Sequence, residues 1–350
     1  MINSGSEPEG ILGAASNLLG EDMTSTTALP DLHSVLAARR RIEGHVVHSR
    51  VLRSDALSAE SGANVFLKLE TDQPTGSFKV RGACNAILAM LEDGPLAGIT
   101  TASTGNHARA VAYMGRRLEV AVRAFVSNTV SDERVQALLD MGAEVDRSSP
   151  DQTTAIRAAQ EFGIAHGYGF IPPFDDADVI SGQGTIGVEL CQDLDRLDAV
   201  VVPVSGGGLV GGIGLAVKAL NSATKVIGVC AELAPAMKKS VSAGRPVPVP
   251  EVPTVAESLM GDLGPDNRFT FRIAQKVIDE IATVTDADIV KAMTGLRDDD
   301  ALAVEGAAAA SAAYLHSHSS QWRGARVALL ITGGAGADPV QLQVNSAPIR

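Results

Sequence analysis

The sequence predicts an α/β fold built as two units, each a mostly parallel sheet flanked by helices, and three observations carry that expectation. Strand-like apolar runs alternate with helix-like ones along most of the 350 residues, the pattern of βα units. Apolar residues make up 45% of the chain, enough for a large core and, by ordinary domain sizes, for two domains or one large unit. Glycine clusters stand where strands hand over to helices, as at Ser205-Gly206-Gly207-Gly208.

Taken in order, residues 1–22 are rich in Gly, Ser and Glu, lack the basic and apolar regions of a signal peptide, and read as a loose tail. A helix follows over Leu32–Ile42, then a strand over Asn64–Leu69. Lys79 opens a helix in which Ala83, Ala86, Ile87 and Met90 recur at helical spacing, and Gly94-Pro95 ends it. Strands over Gly98–Ala102, Val120–Val126 and Glu144–Asp146 alternate with helices over His107–Leu118 and Glu133–Met141. A helix over Ala155–Phe162 leads to a Gly/Pro-rich connection, Gly163–Phe174. The second half offers a helix through Gly184–Asp193, a strand at Ala199–Val204, a helix at Leu209–Leu220 and a strand at Lys225–Cys230. Pro246–Pro253 reads as an extended loop, Asp286–Arg297 and Glu305–His316 as helices, and Arg326–Ile331 as a last buried strand. No repeat of solenoid length is visible. The expected domains are a small one, 98–178, inserted in a larger one made of 23–97 and 179–350.

Composition excludes several functions. With 29 basic against 41 acidic residues the net charge is −12, and basic clusters such as Arg39-Arg40-Arg41 are short, so neither nucleic acid nor a membrane is the expected partner. Ala199–Val217 carries no charge, but Pro203 and the glycines after it break it into a strand, a loop and a helix. Cys84, Cys191 and Cys230 are odd in number and lack CxxC spacing, which suits reduced thiols in the cytoplasm.

Three stretches carry chemistry. Lys79 lies in Pro74-Thr75-Gly76-Ser77-Phe78-Lys79-Val80-Arg81-Gly82-Ala83, beside an aromatic residue and between glycines, where a lysine can anchor a carbonyl cofactor. Gly206, Gly208 and Gly211 form GxGxxG after a strand, with Glu232 about twenty residues on. That pattern serves a dinucleotide, another phosphate, or a tight turn alone. Ser103-Thr104-Gly105-Asn106-His107 opens a helix and reads as an anion site or as ordinary capping by Ser103 or Thr104, with His107 taken singly as a capping or packing residue.

Together Ser77-Phe78-Lys79 with Arg81-Gly82-Ala83, Ser103–His107, Ser205-Gly206-Gly207-Gly208-Leu209, Thr332-Gly333-Gly334 and Gly182-Gln183-Gly184-Thr185 resemble the fold-type II pyridoxal-phosphate enzymes, related to the tryptophan synthase β chain. The likeness is to the threonine and serine dehydratase and serine racemase group. It implies that Lys79 carries pyridoxal 5'-phosphate covalently and later takes the α-proton, that Phe78 packs near its ring and Asn106 bonds its phenolic oxygen. It further implies that Ser205, Gly206, Gly207, Gly208 and Leu209 hold the phosphate, Thr332 the ring nitrogen, and Ser103, Thr104, Gly105 and His107 the substrate carboxylate. Glu305 matches a glutamate near the ring. The implied reaction is dehydration and deamination of a β-hydroxy amino acid to a keto acid and ammonia, in a homodimer or higher homo-oligomer.

The sequence departs from that group in places. Cys230 and Ala236 stand where racemases have acidic metal ligands, so no metal is expected. Thr332 replaces a serine, Ala335 stands where asparagine is common, and Thr104 lies where racemases have a serine that reprotonates the opposite face. Thr101–His107, Ile171–Asp175 and Gly264–Phe271 resemble the hydroxyectoine-utilisation dehydratases, whose implied substrate is a hydroxylated diamino acid that Arg268 or Asp266 could serve. Little chain follows Thr332, so a C-terminal regulatory domain is not expected. The alternatives are a catabolic L-threonine/L-serine dehydratase, with or without racemisation, and, from another class, a nicotinamide-dependent oxidoreductase using Gly206, Gly208, Gly211 and Glu232. A catalytically idle relative that only binds ligand is a third.

Overall fold

A computed structural model describes residues 28–334. The expected tail at 1–22 and the departure at Ala335 lie outside them. Two sheets organise the chain. The larger has six strands in the order β1-β2-β10-β7-β8-β9, and the smaller has four in the order β5-β4-β3-β6. The six are β1 (Val51–Arg53), β2 (Asn64–Leu69), β7 (Ala199–Pro203), β8 (Lys225–Ala231), β9 (Glu280–Val284) and β10 (Arg326–Ile331), and the four are β3 (Gly98–Ala102), β4 (Val122–Ser127), β5 (Glu144–Ser149) and β6 (Tyr168–Phe170). Among these described strands only the β1–β2 pair is antiparallel.

The central strands of the large sheet are apolar on both faces, as a covered parallel sheet requires. Strand periodicity sends Ala199, Val201, Leu329 and Ile331 to one core, shared with Ala308, Ala309 and Ala312, and sends Val200, Val202, Ala328 and Leu330 to the opposite one, shared with Val210 and Ile213.

The helices are α1 (Leu32–Arg41), α2 (Asp55–Ser61), α3 (Lys79–Asp93), α4 (Asn106–Arg117), α5 (Asp132–Asp140), α6 (Gln152–His166), α7 (Ala177–Asp193), α8 (Gly208–Leu220), α9 (Ala236–Ala243), α10 (Thr270–Val277), α11 (Asp286–Asp300) and α12 (Gly306–His318). Ala199–Val217 does divide into β7 and the start of α8, and no described helix is long and apolar enough to cross a membrane.

Glycines let α7 cross its neighbours at backbone distance. A Cβ on Gly182 would meet the Arg81 carbonyl oxygen at 2.7 Å, and one on Gly212 would meet the Ile180 carbonyl oxygen at 2.3 Å. Gly182-Gln183-Gly184-Thr185 is therefore a helix-packing motif, and it places α7 against α3, the helix that begins with Lys79. Beneath that crossing Arg81 is fully buried, its guanidinium bonded to Glu70 at 2.8 Å and to Glu189 at 2.6 Å. Lys68, also fully buried, joins the cluster through Glu189 at 2.8 Å and Asp193 at 3.1 Å. Such charges persist inside a protein only when paired in this way.

Candidate active site

The ends of several strands converge on one cleft, the usual place for a site in an open parallel sheet. Thr332 follows β10 and is buried, and its carbonyl accepts a hydrogen bond from the Phe78 amide at 3.1 Å. Isolated bridges Ser77–Gly333 and Val304–Gly334 tie three distant segments to the same point. Ser77 and Glu305, far apart in sequence, thereby flank Gly333.

Lys79 is the first residue of α3. Its Nζ donates to the Pro173 carbonyl at 2.7 Å and lies 5.2 Å from the centre of the Phe78 ring. Its side chain is not fully covered, yet its amine is enclosed by protein. That burial lowers its pKa from 10.5 to about 8, against an opposing pull from the Glu305 charge. An amine so placed is a nucleophile close to neutral pH.

The connection Pro172-Pro173-Phe174-Asp175 works as a strap across the cleft. Its Pro173 carbonyl holds Lys79, while the Phe174 ring covers Gly206, where a Cβ would sit 2.4 Å from the ring carbons. Asp175 accepts from the backbone amides of Arg268, Phe269 and Thr270 at 2.7, 2.9 and 2.9 Å, and so caps α10. Two of the three stretches expected to mark a substrate preference, Ile171–Asp175 and Gly264–Phe271, thus join in one capping arrangement. Arg268 and Asp266 are exposed, with the Arg268 guanidinium 5.1 Å from the Phe269 ring centre.

The glycine loop fits an anion. Gly207 adopts φ +92°, which favours glycine, and precedes α8 with no side-chain cap. The first amides of α8 therefore lack side-chain competition at the positive end of a helix. Ser205 at the loop's start donates from Oγ to the Met260 carbonyl at 3.1 Å. Gly211, the third glycine of the fingerprint, faces Ile273 at 3.2 Å, so helix packing accounts for it. Glu232 is exposed beyond β8.

In the loop before α4 no side chain caps the helix. The residue capping α4 is Gly105, with no side-chain hydrogen bond, and Ser103 Oγ accepts only from the Gly105 amide at 3.3 Å. Neither Ser103 nor Thr104 caps the helix. The His107 imidazole is buried and bonded to the Ile171 carbonyl at 3.0 Å. Burial, reinforced by the Lys79 charge, lowers its pKa to about 3. The ring is a neutral packing group, and the His107 backbone amide lies in the first turn of the helix.

Asn106 and Glu305 meet directly. The Asn106 amide donates to both Glu305 oxygens at 3.2 and 3.1 Å, and Ser258 Oγ donates to one of them at 3.1 Å. Burial nevertheless raises the Glu305 pKa above the usual carboxylate range, opposed by those bonds and by the Arg109 and Lys79 charges. Sequence reasoning missed the Pro173 carbonyl and Ser258. The Pro-rich stretch before Phe174 was a signal for the first, and nothing local marked the second.

Residues 42–333 match the family model described as pyridoxal-phosphate dependent enzyme. The chain is 36% identical over 302 residues to a putative threonine dehydratase of Sinorhizobium fredii, covering 86% of this chain and 91% of that one. It is 34% identical over 310 residues to the L-threo-3-hydroxyaspartate ammonia-lyase of a Pseudomonas species, covering 87% of this chain and 95% of that one. The structure of maize serine racemase superposes with a TM-score of 0.84 at 28% identity, covering 90% of this chain and 96% of that one. These matches leave the nicotinamide reading of the glycine loop without support. The chain belongs to the fold-type II pyridoxal-phosphate enzymes of the threonine dehydratase group.

Proposed function

We propose that this cleft dehydrates and deaminates a β-hydroxy amino acid, and that its substrate is a hydroxylated diamino acid of the kind formed when hydroxyectoine is opened. The observation that carries the elimination is the Lys79 amine, lowered by burial to about 8 and held by the strap whose Phe174 ring covers the glycine loop. Ser77 Oγ, buried without a hydrogen-bond partner beside Gly333, adds a polar atom suited to a bound group. These features fit pyridoxal phosphate. The finer substrate reading is supported by the sequence likeness at Thr101–His107, Ile171–Asp175 and Gly264–Phe271.

When bound, the cofactor supplies an electron sink that makes the α-proton of an amino acid acidic. Lys79 is then the base that removes that proton, its amine being neutral above about pH 8. The amides of Ser205 to Leu209 would hold the phosphate, Phe78 and Asn106 the ring and its phenolic oxygen, and Thr332 the ring nitrogen. Because Thr332 offers a neutral hydroxyl, the electron sink is milder than with a carboxylate partner, which favours elimination. Ser103, Thr104, Gly105 and the His107 amide would orient the substrate carboxylate. The substrate would lie between residues 98–178 and the unit formed by 23–97 and 179–350, in a cytoplasmic homodimer or higher homo-oligomer.

Keto-acid release from threonine, serine and hydroxylated diaminobutyrate derivatives tests the reading. The diamino acid is expected to give the highest kcat/KM. A preference for threonine would replace it with the catabolic dehydratase reading, and no keto acid from any of them would contradict elimination. The second reading includes racemisation, which the failure of Thr104 to cap α4 favours. Chiral analysis of serine after incubation decides it, since an unchanged enantiomer ratio at full turnover excludes racemisation.

A further inference from the structure

The turn Glu257–Leu259 and the next residue, Met260, touch three parts of the cleft at once. Its base is fixed: Thr254 Oγ1 donates to Asp286 at 2.5 Å, the Val255 amide donates to the same carboxylate at 3.2 Å, and Ala256 and Leu259 are buried in the core. A Cβ on Gly306 would meet the Val255 carbonyl oxygen at 2.1 Å, so the turn is pressed against the start of α12. From that base Glu257 reaches Arg134 of α5 at 2.8 Å, Ser258 reaches Glu305 at 3.1 Å, and the Met260 carbonyl accepts from Ser205 at 3.1 Å. Glu305 in turn holds Asn106 of α4. The turn thus bonds to the four-stranded unit through Arg134, to the carboxylate that meets Asn106, and to the first residue of the glycine loop.

We propose that Glu257, Ser258 and Arg134 are positioning residues for the elimination: the turn latches the four-stranded unit across the cleft through Glu257–Arg134 while Ser258 holds Glu305 against Asn106. This rests on the reading of the cleft given above. The chemistry suits a latch. Arg134 and Glu257 side chains are 43% and 40% exposed, so their ion pair is weak enough to open for substrate and its loss leaves the fold intact. Ser258 is different in kind, since it supports one atom of a carboxylate already shared with Asn106.

A double-mutant cycle on the full-length holoenzyme tests the latch, using the amino acid it turns over fastest. Glu257→Gln, Arg134→Gln and the two together are each expected to raise KM about fivefold, the equivalent of ~1 kcal/mol for a partly exposed pair, with kcat little changed. The charge-swapped protein, Glu257→Arg with Arg134→Glu, is expected to recover the wild-type KM. Hydrogen exchange of residues 132–140 in cofactor-free protein gives a readout independent of turnover: faster in each single variant, restored in the swap. Additive effects of the two substitutions, or a swap that restores neither quantity, overturn the latch. For Ser258→Ala, Glu305 loses a donor that stabilises its charge while Asn106, Arg109 and Lys79 still face it. The acid limb of kcat/KM is expected to move to higher pH, and an unmoved limb removes Ser258 from the proposal. Wild-type protein that turns over no amino acid would sink the reading of the cleft, and the exchange measurements would still decide the latch.

Discussion

Lys68 and Lys79 are both enclosed by protein, and their surroundings separate structure from chemistry. Lys68 ends in a cage of Glu189, Asp193 and the Ser49 carbonyl at 2.8, 3.1 and 2.7 Å. Every part of its charge is answered. Lys79 has one carbonyl at 2.7 Å and no carboxylate in contact, so burial lowers its pKa to about 8. Burial alone does not make a lysine reactive. The missing carboxylate does, because it leaves the charge of the amine uncompensated, so that the uncharged form is reached from about pH 8 rather than above 10.

The comparison is sharpest when each lysine is removed. Lys79→Ala is expected to cut turnover by at least about a thousandfold, as loss of both the anchor and the base requires, while leaving urea stability nearly unchanged. Lys68→Ala is expected to do the reverse to the fold: it takes a buried cation from Glu189 and Asp193, leaving them only Arg81 and His48, and costs ~3–5 kcal/mol, read from the same urea titration. A Lys68→Ala protein of wild-type stability would break the contrast.

Gly206→Ala probes how Lys79 is held. Its Cβ would press on the Phe174 ring at 2.4 Å, displacing the strap whose Pro173 carbonyl holds the amine. A loss of about 1–3 kcal/mol in stability, typical of overpacking, is expected together with weaker binding of added pyridoxal phosphate. Unchanged binding would detach the strap from the site.

The smallest effect is on the pH dependence of cofactor-free protein. The Lys79 pKa is lower folded than unfolded, so between about 8 and 10.5 the unfolded chain binds more protons at this site. Its contribution makes stability rise with pH across that window. Lys79→Met is expected to remove that slope, and an identical slope in both proteins would contradict the lowered pKa.

The sequence revealed these two lysines unequally. Lys79 stood out through its glycines and Phe78, and β2, β3 and β10 fell within the expected bounds because their apolar runs are short and bounded by polar or glycine residues. Lys68 gave no local signal, since its partners Glu189 and Asp193 lie on a helix far along the chain and only folding brings them together. The strands β1 and β6 escaped notice for a related reason. Each is three residues long, and each depends on a neighbour, β2 or β3, for its hydrogen bonds. Also unforeseen were α2, α9, α10 and β9. Of these α10 depends on a distant residue, its first amides being capped by Asp175. The packing of the His107 ring accords with its reading as a capping or packing residue, but the contact of Asn106 with Glu305 had no sequence signal, because side-chain direction is set by packing rather than spacing.

The most direct measurement is peptide mapping after borohydride reduction of protein loaded with pyridoxal phosphate. The expected result is a single pyridoxyl group on the peptide containing Lys79, with Lys68 unmodified. A label on another lysine, or no label on a protein that remains folded, would contradict the assignment of Lys79 as the reactive amine.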